Sequence, residues 1–447
     1  MKPALRYILR KLSIDQDVLG ILFNKIFALV KVPIQIYFIL RYLTPETQGL
    51  WYTFISLGAL SIFAELGFTT IITQFVSHEY ANLNEKDGVL IGEHKPLEKI
   101  ISLILFSVKL YVIVIPAAII ILCTVGFFYF NMKLGNTYFA WVIYSLVGGL
   151  TLFSSLLQAI YQGLDKVKKT QTNILVGSII TALFTCLLLF LHCTIWALVF
   201  GNFIGLTIMC VFLYRMAPKL WIQIFRTKIE EKYNWFSEII NLQWKYAISW
   251  ASGFFISYLF VPFIYKYESP ILAGQFGVSM YIIMSINGIA YAWVYSKIPK
   301  FNMLSANKQR GELLALFRKS LVRSVLVFIG LGIIFMLCLL ASKYFRFFDN
   351  RFLGMGFIAL LILSQLPNVI TSILSVYLRA HKQEPFYYLS IINAALMSIC
   401  VLLILPWLGF TYFVFSVIIT NAFIVMPIAI IIYRKYKNRI FPATYYV

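Results

Sequence analysis

Four ionisable side chains interrupt long apolar stretches of the chain, at Lys25, Lys31, Glu65 and Lys109. An ionisable group in the middle of a bilayer is costly, so it normally faces a water-filled cavity or a partner of opposite charge. Because three lysines accompany one glutamate, one lysine can pair with Glu65 and two remain to attract an anion. The pattern predicts an anion-binding site within a membrane, with Lys25, Lys31 and Lys109 as its cations.

Each of these charges also has an alternative interpretation in which its role is purely structural. Glu65 would form a static ion pair, and the remaining lysines would extend their ammonium groups to the membrane surface. Lys109 lies only about 13 Å into its apolar stretch at 1.5 Å per residue, so it can reach the surface. Lys31 has apolar neighbours in both directions, which favours a binding role. Glu65 is the candidate for ion coupling, because an arriving anion would compete for its lysines and favour its protonation.

Other chemistry is not supported by the sequence. The chain has no Gly-x-x-x-x-Gly-Lys-Ser/Thr motif, the signature of a nucleotide-phosphate cradle. The four histidines fall at loops or at the ends of apolar stretches, and the six cysteines form no Cys-x-x-Cys pair. We therefore predict no catalytic residue, no metal site and no cofactor, and we do not expect an enzyme.

The elements that must position these side chains are membrane-spanning helices. Hydrophobic residues make up 61% of the chain and charged residues 12%, whereas soluble domains are roughly 45–50% apolar and about 25% charged. Reading apolar runs of about 20 residues as spans predicts an all-α membrane protein with twelve helices. The predicted spans are 18–40, 49–76, 100–130, 138–161, 170–191, 195–215, 246–265, 271–296, 324–342, 354–378, 385–405 and 411–433.

The net charge of +21 is a topology signal rather than an indication of nucleic-acid binding. If the segments between spans are numbered alternately from a cytoplasmic N-terminus, most lysines and arginines fall on the inner side. This positive-inside asymmetry predicts that both termini are cytoplasmic. Contact with anionic membrane lipids is a secondary expectation. We also expect a short amphipathic helix over residues 4–12 and a solvated inner loop over residues 77–99.

A short motif occurs twice, as Arg-Tyr-Leu-Thr-Pro-Glu-Thr-Gln-Gly at 41–49 and Lys-Tyr-Glu-Ser-Pro-Ile-Leu-Ala-Gly at 266–274. Each copy follows the first span of one half, and its proline is expected to start a helix. The duplication predicts two six-helix bundles related by an internal pseudo-two-fold repeat. The predicted division is an N-terminal lobe over 1–217, a cytoplasmic amphipathic linker over 218–245 and a C-terminal lobe over 246–447.

Prolines and amides within the spans are further candidates. Pro33 and Pro262 interrupt the first span of each half and are candidate hinges, although membrane helices tolerate proline in general. Polar side chains predicted to line a path and to bond sugar hydroxyls are Asn24, Gln35, Gln74, Asn287 and Gln365. Singly, such a side chain more often forms a hydrogen bond between neighbouring helices.

Three stretches resemble the bacterial polysaccharide-unit flippases. They are Arg41–Trp51, Glu65-Leu-Gly67-Phe and Tyr161-Gln-Gly163, and the resemblance is to the Wzx-type O-antigen and capsule exporters. These belong to the multidrug/oligosaccharidyl-lipid/polysaccharide (MOP) superfamily. The resemblance implies alternating access in the bacterial inner membrane. Its cargo would be an undecaprenyl-diphosphate-linked oligosaccharide, with a polysaccharide polymerase as a further partner. The second half of the chain departs from this family picture, because it has no charged residue in the middle of a predicted span. Lys266 and Arg379 lie only at span ends.

Two other functions stay open at this point. A cation-coupled multidrug or small-molecule exporter of the same superfamily would have the same architecture, but it should carry an excess of acids in mid-membrane. An integral-membrane sugar transferase or polymerase would need acidic catalytic groups and a large outer loop. The predicted outer segments are all short, which speaks against the transferase.

Overall fold

The computed structural model describes residues 16–80, 83–130, 135–231, 233–295, 297–306, 309–344, 350–381 and 385–440. The amphipathic helix expected over residues 4–12 lies outside these ranges. The described chain forms two compact units. The first contains Met1–Leu43 and Leu57–Trp250, and the second contains Thr44–Ser56 and Ala251–Val447.

The elements before Ala251 follow the predicted spans. The helices are α1 (Gln16–Tyr42), α2 (Pro45–Gly58), α3 (Ile62–Glu65), α4 (Phe68–Tyr80), α5 (His94–Phe130), α6 (Gly135–Gly163), α7 (Val167–Phe190), α8 (Thr194–Arg215), α9 (Pro218–Arg226) and α10 (Trp235–Ser257). A hairpin of β1 (Asn84–Lys86) and β2 (Val89–Ile91) lies between α4 and α5.

The rest of the chain is also helical. Its helices are α11 (Phe260–Tyr267), α12 (Pro270–Tyr295), α13 (Ile298–Ala306), α14 (Arg310–Tyr344), α15 (Met355–Ala380), α16 (Phe386–Ile399), α17 (Leu405–Leu408), α18 (Phe410–Ile419) and α19 (Met426–Ile440). Two π-helical segments, Cys400–Ile404 and Thr420–Val425, join α16 to α17 and α18 to α19.

Every predicted span coincides with one helix or with two or three helices in succession, the three being α2, α3 and α4 over the predicted span 49–76. Within the described ranges, nine helices are long and apolar enough to cross a membrane, or ten if Pro45–Glu65 and Phe68–Tyr80 count as one. The two further predicted spans fall on α1 and on the broken pair α10–α11. Helices are expected here because a backbone in lipid must satisfy its own hydrogen bonds.

The repeated motif forms the same local structure in both places. The N–H of Thr47 donates to the hydroxyl of Thr44 (3.2 Å), and the N–H of Leu272 donates to the hydroxyl of Ser269 (3.1 Å). In each copy the proline that follows is the first residue of a helix, α2 or α12. The motif is thus a helix start, in which a hydroxyl side chain accepts a hydrogen bond from a backbone N–H that lacks a helical partner.

The glycines that end the two motif copies lie against each other within the second unit. A Cβ added to Gly49 would stand 1.9 Å from the carbonyl oxygen of Pro270, and one added to Gly274 would stand 2.8 Å from the nitrogen of Gly49. The side-chain amide of Gln48 donates to the carbonyl of Gly274 (2.9 Å). Only residues without a side chain allow two helix backbones to approach this closely.

The predicted loop over residues 77–99 is largely ordered secondary structure. Helix α4 continues to Tyr80, and Asp87 and Gly88 both have positive φ in the turn of the hairpin, the geometry that tight two-residue hairpins require. The N–H of Leu90 donates to the side chain of Gln223 (2.9 Å), whose amide donates back to the carbonyl of Leu90 (2.8 Å). The hairpin is therefore fixed to α9.

The segment predicted as a linker is anchored in the first unit by two buried tryptophans. Trp221 donates to the hydroxyl of Tyr161 (2.8 Å), and Trp235 donates to the hydroxyl of Ser102 (3.1 Å). The opposite face of α9 exposes Ile222 and Phe225. This amphipathic pattern suits a helix lying at a membrane surface.

Candidate functional site

The structure does not bring the charged residues of the first three predicted spans into one described cluster. Lys31 is half-buried in α1. Lys109 is exposed on α5, one turn before Val112 and Ile113, which are 66% and 71% exposed. It therefore lies on an apolar, outward-facing stripe. Lys25 belongs to α1, but its side chain is outside the described part of the molecule.

Glu65 lies at a break in the second predicted span. Helix α3 ends at Glu65, and Leu66 and Gly67 both have positive φ before α4 begins. The amide of Gln243 donates to the carbonyl of Leu66 (2.8 Å). A backbone carbonyl at the interruption between the helices therefore has a side-chain partner. The hydroxyl of Thr69 donates to the carboxylate of Glu65. Among the ion pairs between described side chains, none includes Glu65.

A small polar pocket of about 210 Å³ lies next to this break in the first unit. Its lining is Thr69, Thr70, Thr73, Ser155, Gln158, Ala159 and Gln162. The hydroxyl of Thr73 lies within hydrogen-bond distance of the carbonyls of Thr69 (3.0 Å) and Ala159 (3.2 Å). The pocket is thus lined by hydroxyl and amide groups, with the Glu65 carboxylate bonded to one of them.

The amides predicted in the first half have different surroundings. The Nδ2 of Asn24 donates to both the backbone carbonyl and the side-chain oxygen of Gln171, each at 2.8 Å, which joins α1 to α7. Gln35 is half-buried on α1, and Gln74 is exposed on α4. Neither glutamine lines either of the two cavities described here.

The second unit contains a larger polar cavity of about 550 Å³. It is formed by α10, α12, α15, α16 and the segment around α18. The polar residues that line it are Ser257, Asn287, Tyr291, Gln365, Asn368, Thr371, Ser372, Ser375, Arg379, Ser390, Asn393 and Asn421. The two polar candidates predicted in the second half, Asn287 and Gln365, therefore share one cavity. Its described lining contains one cation and no carboxylate.

One face of α15 supplies five of these twelve polar residues. Gln365, Asn368, Ser372, Ser375 and Arg379 recur every three or four residues, so they form one stripe along the helix. The amide of Asn368 donates to the side-chain oxygen of Gln365 (3.2 Å). This helical spacing of polar residues in an apolar span is present in the sequence, but the stripe was not predicted. Arg379 was not predicted as a site residue because it lies at a span end.

Two further cavity residues, Asn393 and Asn421, were also not predicted. Each is a single amide in an apolar span, a pattern that does not distinguish a helix–helix bond from a cavity group. They are 6% and 1% exposed. Their side-chain oxygens, and the hydroxyl of Thr371, are buried without a hydrogen-bond partner among the described residues.

A titratable side chain follows Arg379 by two residues. His381 follows α15, and its Nδ1 lies 2.8 Å from the hydroxyl of Ser305. Burial, followed by the positive charge of Arg310, lowers the pKa of His381 below its usual value. The imidazole is therefore neutral at neutral pH, and Arg379 is the charged group of the described lining.

The two candidate hinge prolines occupy different positions. Pro33 is exposed within α1, which continues through it. Pro262 is buried in the first turn of α11, just after the helical structure is interrupted at Tyr258 and Leu259. Within the described residues, no group of three or more His, Cys, Asp or Glu side chains is arranged to hold a metal ion.

Comparison with known proteins identifies the fold. No protein-family model and no curated protein sequence matches the chain. A solved multidrug resistance MATE family transporter of the MOP superfamily, in an inward-facing conformation, matches with a TM-score of 0.66 and 12% identity over 92% of this chain and 94% of that one. The inward closed conformation of the lipid II flippase MurJ matches with a TM-score of 0.63 and 14% identity, over 95% and 86%.

A third solved structure, the MATE multidrug transporter DinF-BH in complex with R6G, matches with a TM-score of 0.62 and 15% identity, over 97% and 96% of the two chains. These likenesses cover nearly the whole chain. The predicted fold class, an all-α membrane protein with twelve helices in two bundles, is confirmed. The chain has the fold of these transporters.

Proposed function

We propose that the protein moves a lipid-linked oligosaccharide, built on undecaprenyl diphosphate, from the inner to the outer leaflet of the bacterial inner membrane by alternating access. The observation that carries the proposal is the charge of the second-unit cavity, whose described lining is neutral and polar apart from Arg379. A guanidinium group binds phosphate oxygens in a bidentate manner. Amides and hydroxyls suit the sugar that the diphosphate carries.

The cost of moving a diphosphate through a membrane explains why cations matter. Taking a charged group out of water is expensive unless a fixed opposite charge offsets the loss of hydration. Arg379 supplies one such charge, and Lys25, Lys31 and Lys109 remain proposed further contacts. Lys109, on its exposed stripe, is the weakest of them. The likeness to MurJ, described as a lipid II flippase, supports this class of cargo.

The proposal is tested in cells that lack the chromosomal copy and carry a plasmid-borne variant. Arg379→Gln should remove most of the surface polysaccharide while the protein still inserts at normal abundance. Asn202→Leu is the matched control, because this half-buried amide of the first unit donates, among the described residues, to the carbonyl of Leu198 on its own helix (2.7 Å). Unchanged surface polysaccharide in Arg379→Gln would contradict the proposal.

A second candidate is a cation-coupled multidrug exporter. It is favoured by Glu65, a carboxylate at a helix break beside the hydroxyl-lined pocket of the first unit, and by the likeness to DinF-BH in complex with R6G. A cationic drug would find a counter-charge there. Efflux of R6G that is lost in Glu65→Gln but retained in Arg379→Gln would favour this candidate over the flippase.

A further inference from the structure

We propose that the buried part of the second-unit cavity, around Asn393, Asn421 and Thr371, is a subsite for an uncharged, hydroxyl-rich group, namely a glycosyl unit of the cargo. This inference rests on the proposed function, since it divides one cavity between the two parts of a lipid-linked sugar. Arg379, which is exposed in the last turn of α15, would bind the diphosphate. The amides would bind the sugar.

The first argument is the state of the buried polar atoms. The side-chain oxygens of Asn393 and Asn421 and the hydroxyl of Thr371 are buried and have no hydrogen-bond partner among the described residues. Buried polar groups in proteins nearly always have a partner, and those that do not require an explanation. Asn393 and Asn421 both line one cavity, and a ligand that brings several hydroxyl donors matches these two amides.

The second argument is the backbone that carries them. Asn421 is the second residue of the π-helical segment Thr420–Val425, and a second π-helical segment, Cys400–Ile404, follows α16, the helix of Asn393. The two segments meet where the Sγ of Cys400 lies 3.6 Å from the hydroxyl of Thr420. A π-helical turn redirects the side chains around it and often occurs at functional sites. Here Thr420 contacts the neighbouring helix while Asn421 lines the cavity.

The third argument is size and charge. The cavity of about 550 Å³ lies within the roughly 300–1,000 Å³ range of small-molecule sites. A bare cation would meet no carboxylate among the described lining residues, and it would be repelled by Arg379. A second anion would find no further described cation there. An uncharged group with many hydroxyls is the ligand that satisfies the amides without a new charge.

The test uses the full-length protein in phospholipid nanodiscs and three probes. The probes are farnesyl diphosphate, farnesyl diphosphate carrying one glucose, and farnesyl diphosphate carrying one N-acetylglucosamine, each titrated calorimetrically. We expect the wild type to bind at least one glycosylated probe about tenfold more tightly than farnesyl diphosphate. Asn421→Leu and Asn393→Leu should abolish this preference, so that the three probes bind each variant with similar affinities. Asn421→Ser, which keeps a hydrogen-bonding group, should retain part of the preference.

The controls separate the subsite from the proposed function. Arg379→Gln should weaken all three probes by a similar factor, and Asn202→Leu should change none of them. The subsite proposal is overturned if the wild type binds the three probes with equal affinity, or if the preference survives in both leucine variants. In either case, binding of farnesyl diphosphate that depends on Arg379 would still support the flippase. If no probe binds more tightly to the wild type than to Arg379→Gln, the flippase proposal fails and the subsite fails with it. Monodisperse elution and a wild-type unfolding temperature identify variants that are folded.

Discussion

Asn24 and Glu65 of the first unit bond to neighbouring polar side chains, whereas Asn393 and Asn421 of the second unit line a cavity and have unpartnered side-chain oxygens. In the first unit the Asn24 amide reaches Gln171 on the neighbouring helix, and Thr69 donates to Glu65. In the second unit Asn393 and Asn421 are at least as deeply buried, yet their side-chain oxygens have no described partner. The same residue types, in similar apolar spans, therefore have opposite surroundings.

This difference separates two kinds of polar group: those that form hydrogen bonds between helices, and those that we propose bind a ligand. A hydrogen bond between helices contributes on the order of 1 kcal/mol to association in a membrane. An unpaired buried oxygen costs about 1–3 kcal/mol. A protein retains such a cost when function requires it, because removing it would stabilise the fold at the expense of activity. The comparison leads to four predictions.

The largest effect is expected at Gly49, where the second unit is densely packed rather than open. Gly49→Ala places a methyl group against the backbone of Pro270, and overpacking against backbone should cost about 3 kcal/mol or more. Gly288→Ala, at a glycine of the cavity wall with no heavy atom within 4 Å of an added Cβ, is the control. Thermal unfolding in detergent measures both. Equal unfolding temperatures would show that the close contact carries little stability.

The next effect concerns the sign of the cavity charge. Arg379→Glu should reduce transport at least 100-fold, because like charges repel a diphosphate and about 2.7 kcal/mol corresponds to that factor. Thr73→Val, in the polar pocket of the first unit, should have a much smaller effect if the second unit holds the cargo. Transport is measured with a fluorescent lipid-linked oligosaccharide in proteoliposomes. A stronger loss in Thr73→Val than in Arg379→Glu would reverse the assignment of the two units.

Replacing one asparagine in each unit with leucine should change stability in opposite directions. Asn24→Leu loses its bonds to Gln171 and should lower the free energy of unfolding by about 1 kcal/mol. Asn421→Leu removes an amide whose buried oxygen has no described partner and should raise the free energy of unfolding by about 1 kcal/mol. Chemical unfolding of the two purified variants in the same detergent compares them. A lower free energy of unfolding for Asn421→Leu than for Asn24→Leu would contradict the distinction between the two units.

The smallest change in stability is expected at Glu65. Its carboxylate is bonded to Thr69 and belongs to no ion pair between described side chains, so Glu65→Gln should alter the free energy of unfolding by less than about 1 kcal/mol. If Glu65 couples transport to an ion gradient, the variant should bind cargo normally and lose gradient-dependent transport. Transport rates measured across a range of pH, with and without a gradient, check this. A variant with the wild-type rate and gradient dependence would assign Glu65 a structural role.

The spans and their starts were predictable from local sequence. In lipid, a run of about 20 apolar residues has few alternatives to a helix, so the composition of each run settles its conformation. The pairs Thr44-Pro45 and Ser269-Pro270 start helices because the hydroxyl and the ring act on backbone groups within one turn. Even the polar stripe of α15 was present as a spacing of three and four residues.

The partners of the polar side chains were decided by the tertiary structure alone. Asn24 and Asn421 are both single amides in apolar spans, and of the two only Asn24 was named from the sequence as a candidate to line a path. Packing instead placed Gln171 beside Asn24 and a cavity beside Asn421. Lys109 likewise lies on an exposed stripe because of the side of α5 that packs inward. The sequence determined which residues are polar and at what depth, since these depend on local hydropathy. Whether each is bonded, exposed or open to a ligand depends on a neighbouring helix that is distant in the chain.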